Sequence, residues 1–184
     1  MVAWRAGLLL LGIWFIVDYW LLSRRPVPRE IAHASVSCWV LMIANVAGVT
    51  LASWAAFRHW APDMESQALP ALFLMLTGIV LRFASIAQLG CFHTSTLVVF
   101  PGQTVVTRGL YRWIRHPSYL GILIILAGFG LTLGSWTGVL ILFGFSIPAY
   151  AFRIQQEEKM LVAYFGQIYR EYQARTARLI PLIY

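Results

Sequence analysis

Charge is scarce in this 184-residue chain: only 11% of its residues are Asp, Glu, Lys or Arg, where an average soluble domain carries about 25%. Lysine is almost absent. Lys159 stands alone, so the formal net charge of +7 rests on arginine. In a soluble protein that balance would suggest nucleic acid. In a chain this poor in charge it points instead to cytoplasmic loops and anionic headgroups, and no nucleic-acid partner is expected. Cysteine is limited to Cys38 and Cys91. They lack metal-type spacing and Cys38 lies in an apolar run, so neither a disulfide nor a metal site is implied. No internal repeat, low-complexity segment or separate soluble domain interrupts residues 1–184, which read as one membrane-embedded domain. What fills the sequence is apolar: 60% of residues are hydrophobic, and eight Trp and eight Tyr suit membrane interfaces. The composition is that of an integral membrane protein whose partner is the lipid bilayer.

Five apolar segments are candidate transmembrane helices, at about residues 6–22, 34–57, 71–89, 119–133 and 137–152. The first is too long for a signal peptide, and Arg24, Arg25 and Arg29 follow it in place of a small-residue cleavage site. Asp18 falls near its end and Arg82 interrupts the third span. Such charges must face protein or water; they either pair, or Arg82 snorkels to the headgroups. Arginines gather in the linker at 24–29, in the loop with Arg108, Arg112 and Arg115, and in the tail. Five spans put all three on one side, which predicts an N-terminus outside and a C-terminus in the cytoplasm. The expected location is a multi-pass place in the inner membrane of a bacterium or the endoplasmic reticulum of a eukaryote.

The polar residues cluster in the region from about 90 to 184. Thr96–Phe100 and Gln103–Thr107 are rich in β-branched residues and flank Pro101-Gly102, so a small cytoplasmic β-hairpin is expected. In Leu110–Gly121, the residues Tyr111, Arg112, Arg115, His116, Ser118 and Tyr119 directly precede or open an apolar run, and Pro117 suits the first turn of a helix. After Arg153 an amphipathic helix is expected, with Met160, Leu161, Tyr164, Phe165, Ile168 and Tyr172 at helical spacing and Gly166 bending or breaking it. Arg153 and Glu157 are four residues apart and share a helical face. They form either a surface ion pair or one wall of a polar pocket; the 110–121 loop, likewise, either sets topology or carries chemistry.

Four motifs in order, Gln103-Thr-Val-Val-Thr-Arg-Gly-Leu-Tyr111, Arg115-His-Pro-Ser-Tyr119, Arg153-x-x-x-Glu157-Glu158 and Phe165-Gly166-x-x-Tyr169-x-x-Tyr172, resemble the isoprenylcysteine carboxyl methyltransferases. The resemblance covers roughly Leu81 to Pro181. It implies an integral membrane enzyme that uses S-adenosyl-L-methionine in a cytosol-facing pocket closed by the tail, with a lipophilic substrate entering from the membrane. By position it implies cofactor contacts from Gln103, Thr104, Val105, Val106, Tyr111, His116, Pro117, Ser118, Tyr119 and Glu157. Arg153 would orient the acceptor's carboxylate, with His116 and Tyr119 beside it as catalytic residues. The family often has His where this chain has Gln103.

The residues suit that chemistry. A carboxylate acceptor is already ionised near neutral pH, so positioning matters more than a general base. Arginine offers a planar fork matched to a carboxylate. Two related readings share the Arg-His-Pro-x-Tyr core: phospholipid N-methyl transfer and small-thiol S-methyl transfer, which would need His116 or Tyr119 as a base. An NADPH-dependent sterol-type reductase has a similar stretch and is the rival of another class. The lipid-facing walls are generic Leu, Ile, Val and Phe and specify neither the acceptor nor an oligomeric state.

Overall fold

The computed structural model describes residues 3–23, 36–58, 67–94, 96–134 and 136–181. The linker containing Arg24, Arg25 and Arg29 lies outside them. Among the described residues the chain forms six α-helices: α1 (Ala3–Ser23), α2 (Val36–Phe57), α3 (Ala68–Leu89), α4 (Pro117–Thr132), α5 (Trp136–Phe165) and α6 (Gln167–Arg175). Helices α1, α2, α3 and α5 are long and apolar enough to cross a membrane. Helix α4 is apolar but has only 16 residues, about 24 Å at 1.5 Å per residue, against a hydrocarbon core of about 30 Å. The protein is all-helical and membrane-integral.

Local chemistry sets the ends of these helices. Pro70 sits in the first turn of α3 and Pro117 is the first residue of α4, positions where a missing amide costs nothing. Gly166 has φ +58°, which ends α5 and lets α6 set off in a new direction. The break at Gly166 agrees with the sequence. The division at Phe152 does not: α5 runs unbroken for 30 residues. Gln155, Gln156, Glu157, Glu158, Lys159, Met160 and Leu161 are all good helix formers, so a change from apolar to charged composition does not stop the backbone. A helix of that length spans about 45 Å. Its part from Arg153 onward therefore projects beyond the hydrocarbon.

Helix α4 is the central element, packing against α3 and α5, while α2 lies along α5 and α1 along α4 and α3. The core contains Met75 of α3, Ile125 and Phe129 of α4, and Leu142 of α5, all fully buried. On outward faces Leu9, Ile16, Phe73 and Leu140 remain two-thirds or more exposed, as lipid-facing side chains are. With no hydrophobic drive between helices inside lipid, close packing needs small residues. A Cβ on Gly121 would stand 2.8 Å from the Gly78 carbonyl oxygen and 2.9 Å from the Arg82 nitrogen. Gly121→Val is therefore expected to push α3 and α4 apart and lower the midpoint of thermal unfolding in detergent by several degrees, an overpacking cost of about 1–3 kcal/mol. An unchanged midpoint would show that the contact is not tight.

The helix ends that meet at one end of the bundle are the C-terminal parts of α1 and α3, the N-terminal parts of α2 and α4, and the projecting part of α5. Three contacts fix this: Arg82 with Asp18, Arg82 with Ser118, and Arg153 with Ser37. Between α3 and α4 the chain makes two 3-10 turns, Gly90–Phe92 and Gly109–Arg112. The turn at Pro101-Gly102 is present, with the Gln103 amide donating to the Phe100 carbonyl at 3.0 Å and Gly102 at φ +76°. The flanking segments, however, form no β-ladder among the described residues. The one bridge there is parallel, between Ile114 and Ala177.

Candidate active site

A cavity opens where these helix ends meet, with an empty volume of about 830 Å³ including the space open to solvent. The loop 96–106, the start of α4, the projecting part of α5 and α6 all contribute walls. Of the residues expected from sequence, Gln103, Thr104, Val105, Val106, Tyr111, His116, Ser118, Tyr119, Arg153 and Glu157 line it. Pro117 does not. It is fully buried as the first residue of α4 and aims its neighbours at the cavity.

Tyr119 links the two key residues of α5. Its hydroxyl donates to Glu157 Oε2 at 2.7 Å and accepts from Arg153 Nε at 3.4 Å. Arg153 is only 3% exposed. Its Nη1 donates to Ser37 Oγ at 2.8 Å and to Cys38 Sγ at 3.1 Å, so the first turn of α2 holds the guanidinium in place. Asn45 and Ser146 continue the polar contact between α2 and α5, with Asn45 donating to the Tyr150 hydroxyl at 3.2 Å. Tyr150 in turn lies against the Tyr119 ring, their centroids 5.3 Å apart. Glu157 keeps about a quarter of its side chain exposed, which leaves its carboxylate available to a ligand. The pair is therefore no surface ion pair, and Arg82 does not snorkel: its Nε and Nη2 grip both Asp18 oxygens, at 2.7 and 2.8 Å.

The neighbouring carboxylate, Glu158, does a different job. It accepts from Arg115 Nε at 2.7 Å and Arg178 Nε at 3.1 Å, and lies 3.4 Å from His116 Nε2. Burial alone would raise its pKa, but the hydrogen bonds from His116 and Arg115 and the charge of Arg115 prevail and hold it at about 2. The Arg115 guanidinium also donates to the carbonyls of Gln173 and Thr176. Backbone bonds from Arg115 to the Ala177 carbonyl and from His116 to that of Arg178, at 2.9 and 3.0 Å, complete the dock. The C-terminal segment is thus tied to the start of α4. Because the folded pKa of Glu158 is depressed, this stabilisation is present above the ordinary carboxylate range and disappears as pH falls from about 4.5 toward 2. The protection of residues 176–181 against hydrogen exchange, relative to the intrinsic rate at each pH, is expected to fall across that window in the wild type, and to be low already at pH 6 in Glu158→Gln. Equal protection in both proteins would contradict this role.

Burial first, and then the charge of Glu157, push the Tyr111 pKa up; burial pushes Tyr172 up to about 12. Burial raises Tyr169 as well, followed by the charges of Glu158 and Glu157. These three phenols stay protonated, and two of them act as donors: Tyr172 to the Tyr111 carbonyl at 2.7 Å, Tyr111 to the Ser85 carbonyl at 3.3 Å. Sequence reasoning did not assign cavity roles to His93, Thr96, Val98, Met160, Leu161 or Tyr169, all of which line it. For Met160 and Leu161 the helical spacing was the available signal, and for Tyr169 its place in the Phe165-Gly166-x-x-Tyr169-x-x-Tyr172 motif. His93, Thr96 and Val98 sit in irregular chain and gave none.

The arrangement defines a class before a family: a polytopic helical membrane protein with a partly buried polar cavity at one end of its bundle. Residues 71–163 match the isoprenylcysteine carboxyl methyltransferase (ICMT) family, and the chain belongs to that family. It is 34% identical over 118 residues to a protein-S-isoprenylcysteine O-methyltransferase of Schizosaccharomyces pombe, a match covering 61% of this chain and 49% of that protein. It is 27% identical over 162 residues to methanethiol S-methyltransferase 2 of Bradyrhizobium diazoefficiens, covering 87% of this chain and 53% of the relative. A solved structure of the eukaryotic intramembrane Ras methyltransferase of this family superposes with a TM-score of 0.60 at 25% identity, covering 83% of this chain and 55% of the other. The chain spans about half the length of each of these three proteins.

Proposed function

We propose that the protein transfers a methyl group from S-adenosylmethionine to the carboxylate of a lipophilic, prenylcysteine-like substrate. The observation that carries this reading is the Glu157–Tyr119–Arg153 constellation on one cavity wall. It sets an anionic and a cationic group side by side. The cofactor's ammonium and ribose are donors that a partly exposed carboxylate accepts. Thr96 Oγ1, buried at the wall without a hydrogen-bond partner among the described residues, is a further atom that a polar ligand would satisfy. The residues fit the group. When bound, it supplies a methyl on a sulfonium, displaced in line with loss of the positive charge on sulfur.

The protein's own residues supply position. Glu157, Gln103 and the backbone of residues 104–106 hold the polar groups of the cofactor, with Tyr111 as an aromatic wall. Arg153, fixed by Ser37, Cys38 and Tyr119, presents its guanidinium to the acceptor carboxylate. Tyr169, Tyr172 and Met160 close the cavity on the α5–α6 side and limit water. Five crossings fit the alternating direction of α1 to α5, with α4 short and steep. The positive-inside rule then puts the cavity in the cytoplasm, at the inner membrane of a bacterium or the endoplasmic reticulum of a eukaryote.

A second reading has a small thiol as acceptor, as the name of the Bradyrhizobium relative indicates for that protein. A thiol must lose its proton, and the three raised phenols cannot take it. His116, with ring nitrogens 3.4 Å from Glu158 and 4.0 Å from Glu157, would have to serve as that base. A carboxylate acceptor is already ionised near neutral pH and needs no base, and the carboxylate reading is preferred on that ground. Thermal stabilisation in detergent by S-adenosylhomocysteine but not by NADPH is expected; the reverse would indicate a reductase.

A further inference from the structure

Arg82 and Asp18 form a bidentate ion pair at the bundle end, and the third arm of the guanidinium, Nη1, donates to Ser118 Oγ. The three residues come from α3, α1 and α4 respectively, and of the three Ser118 lines the cavity. Arg82 is 5% exposed and Ser118 6%. The close crossing at Gly78 and Gly121 is what brings α3 near enough for Arg82 to reach one turn back toward the start of α4.

Packing alone does not require this pair. Buried ion pairs contribute little net stability, and apolar residues of similar volume can replace them without loss. The geometry has a more specific consequence. A guanidinium only donates, so the Ser118 oxygen is committed as its acceptor and the hydroxyl hydrogen must be given elsewhere. Asp18 occupies the other two arms and prevents Arg82 from turning away. We propose that Arg82, clamped by Asp18, is a positioning residue that makes Ser118 a fixed hydrogen-bond donor to an acceptor oxygen of the bound methyl donor. Helix α1, which contributes no wall residue, thereby takes part in the site. This inference rests on the methyl-transfer reading above.

The test is the affinity for S-adenosylhomocysteine, read by titration, alongside KM and kcat for S-adenosylmethionine. Ser118→Ala removes the donor. The paired replacement Asp18→Leu with Arg82→Met removes both charges while keeping volume. Each is expected to raise Kd and KM about 3–10-fold, the size of one neutral hydrogen bond, with kcat kept within about twofold. The triple variant should be no worse than either. A folded paired variant with wild-type Kd, or effects that multiply in the triple variant, would overturn the proposal. If the paired variant does not fold, Arg82→Lys decides: it should weaken binding in the wild-type background and have no effect in Ser118→Ala. Equal effects in both backgrounds would overturn the proposal. Wild-type protein that binds no S-adenosylhomocysteine would instead overturn the methyl-transfer reading, and this inference with it.

Discussion

Arg153→Ala is expected to lower methyl transfer to a carboxylate acceptor about 10²–10³-fold while Kd for S-adenosylhomocysteine stays within about threefold. The size follows from removing one partner of a buried, charge-assisted contact, which costs about 3–4 kcal/mol. Arg153 is 3% exposed, and Tyr119, Ser37 and Cys38 fix its direction, so a carboxylate meeting it finds a guanidinium that needs no reorganisation. Arg153→Lys is expected to recover little, because an ammonium cannot hold Ser37, Cys38 and a substrate fork together. Loss of α2 anchoring would lower the unfolding midpoint as well; retained cofactor affinity separates that effect from loss of the acceptor contact. Intact turnover of Arg153→Ala on carboxylate substrates would refute the assignment.

Glu157→Gln should do the opposite, raising Kd for S-adenosylhomocysteine about 10–100-fold, the cost of replacing a charge-assisted hydrogen bond by a neutral one. The amide oxygen still accepts from Tyr119, whose hydroxyl is 2.7 Å from the carboxylate, so the wall keeps its shape. The neighbouring Glu158→Gln should leave Kd far less affected, because that carboxylate points at Arg115 and Arg178. Two adjacent residues on a helix differ in direction by about 100°, which is why one faces the ligand space and the other the C-terminal segment. Titration of both variants checks the division; equal losses would contradict it.

The helices were legible in the sequence wherever hydropathy alone decides, as for α1 to α3. Much of the cavity's lining was legible through the Arg-His-Pro-Ser-Tyr run and the Arg153/Glu157 spacing. Three features were not. The unbroken α5 was hidden because a shift to charged residues resembles a helix end, yet helix propensity continued until Gly166 ended it. The loop 96–107 carries β-branched residues and a Pro-Gly turn, which describe a hairpin locally; instead the chain on either side of the turn is drawn to the cavity wall. The Ser37 and Cys38 contacts to Arg153 join residues more than a hundred positions apart, and no local pattern announces them. For Asp18 and Arg82 the sequence narrowed the choice to pairing or snorkelling, and the bidentate contact decides it.

A carboxylate methylated in this cavity becomes an ester, and that bond marks the product. Purified membranes containing the protein, given S-adenosylmethionine labelled in its methyl group and a prenylcysteine-type acceptor, provide the direct measurement. Label should appear in lipid-soluble product and be released as methanol by mild base, as an ester requires. Label that resists base, in a thioether or a methylated amine, would contradict methylation of a carboxylate.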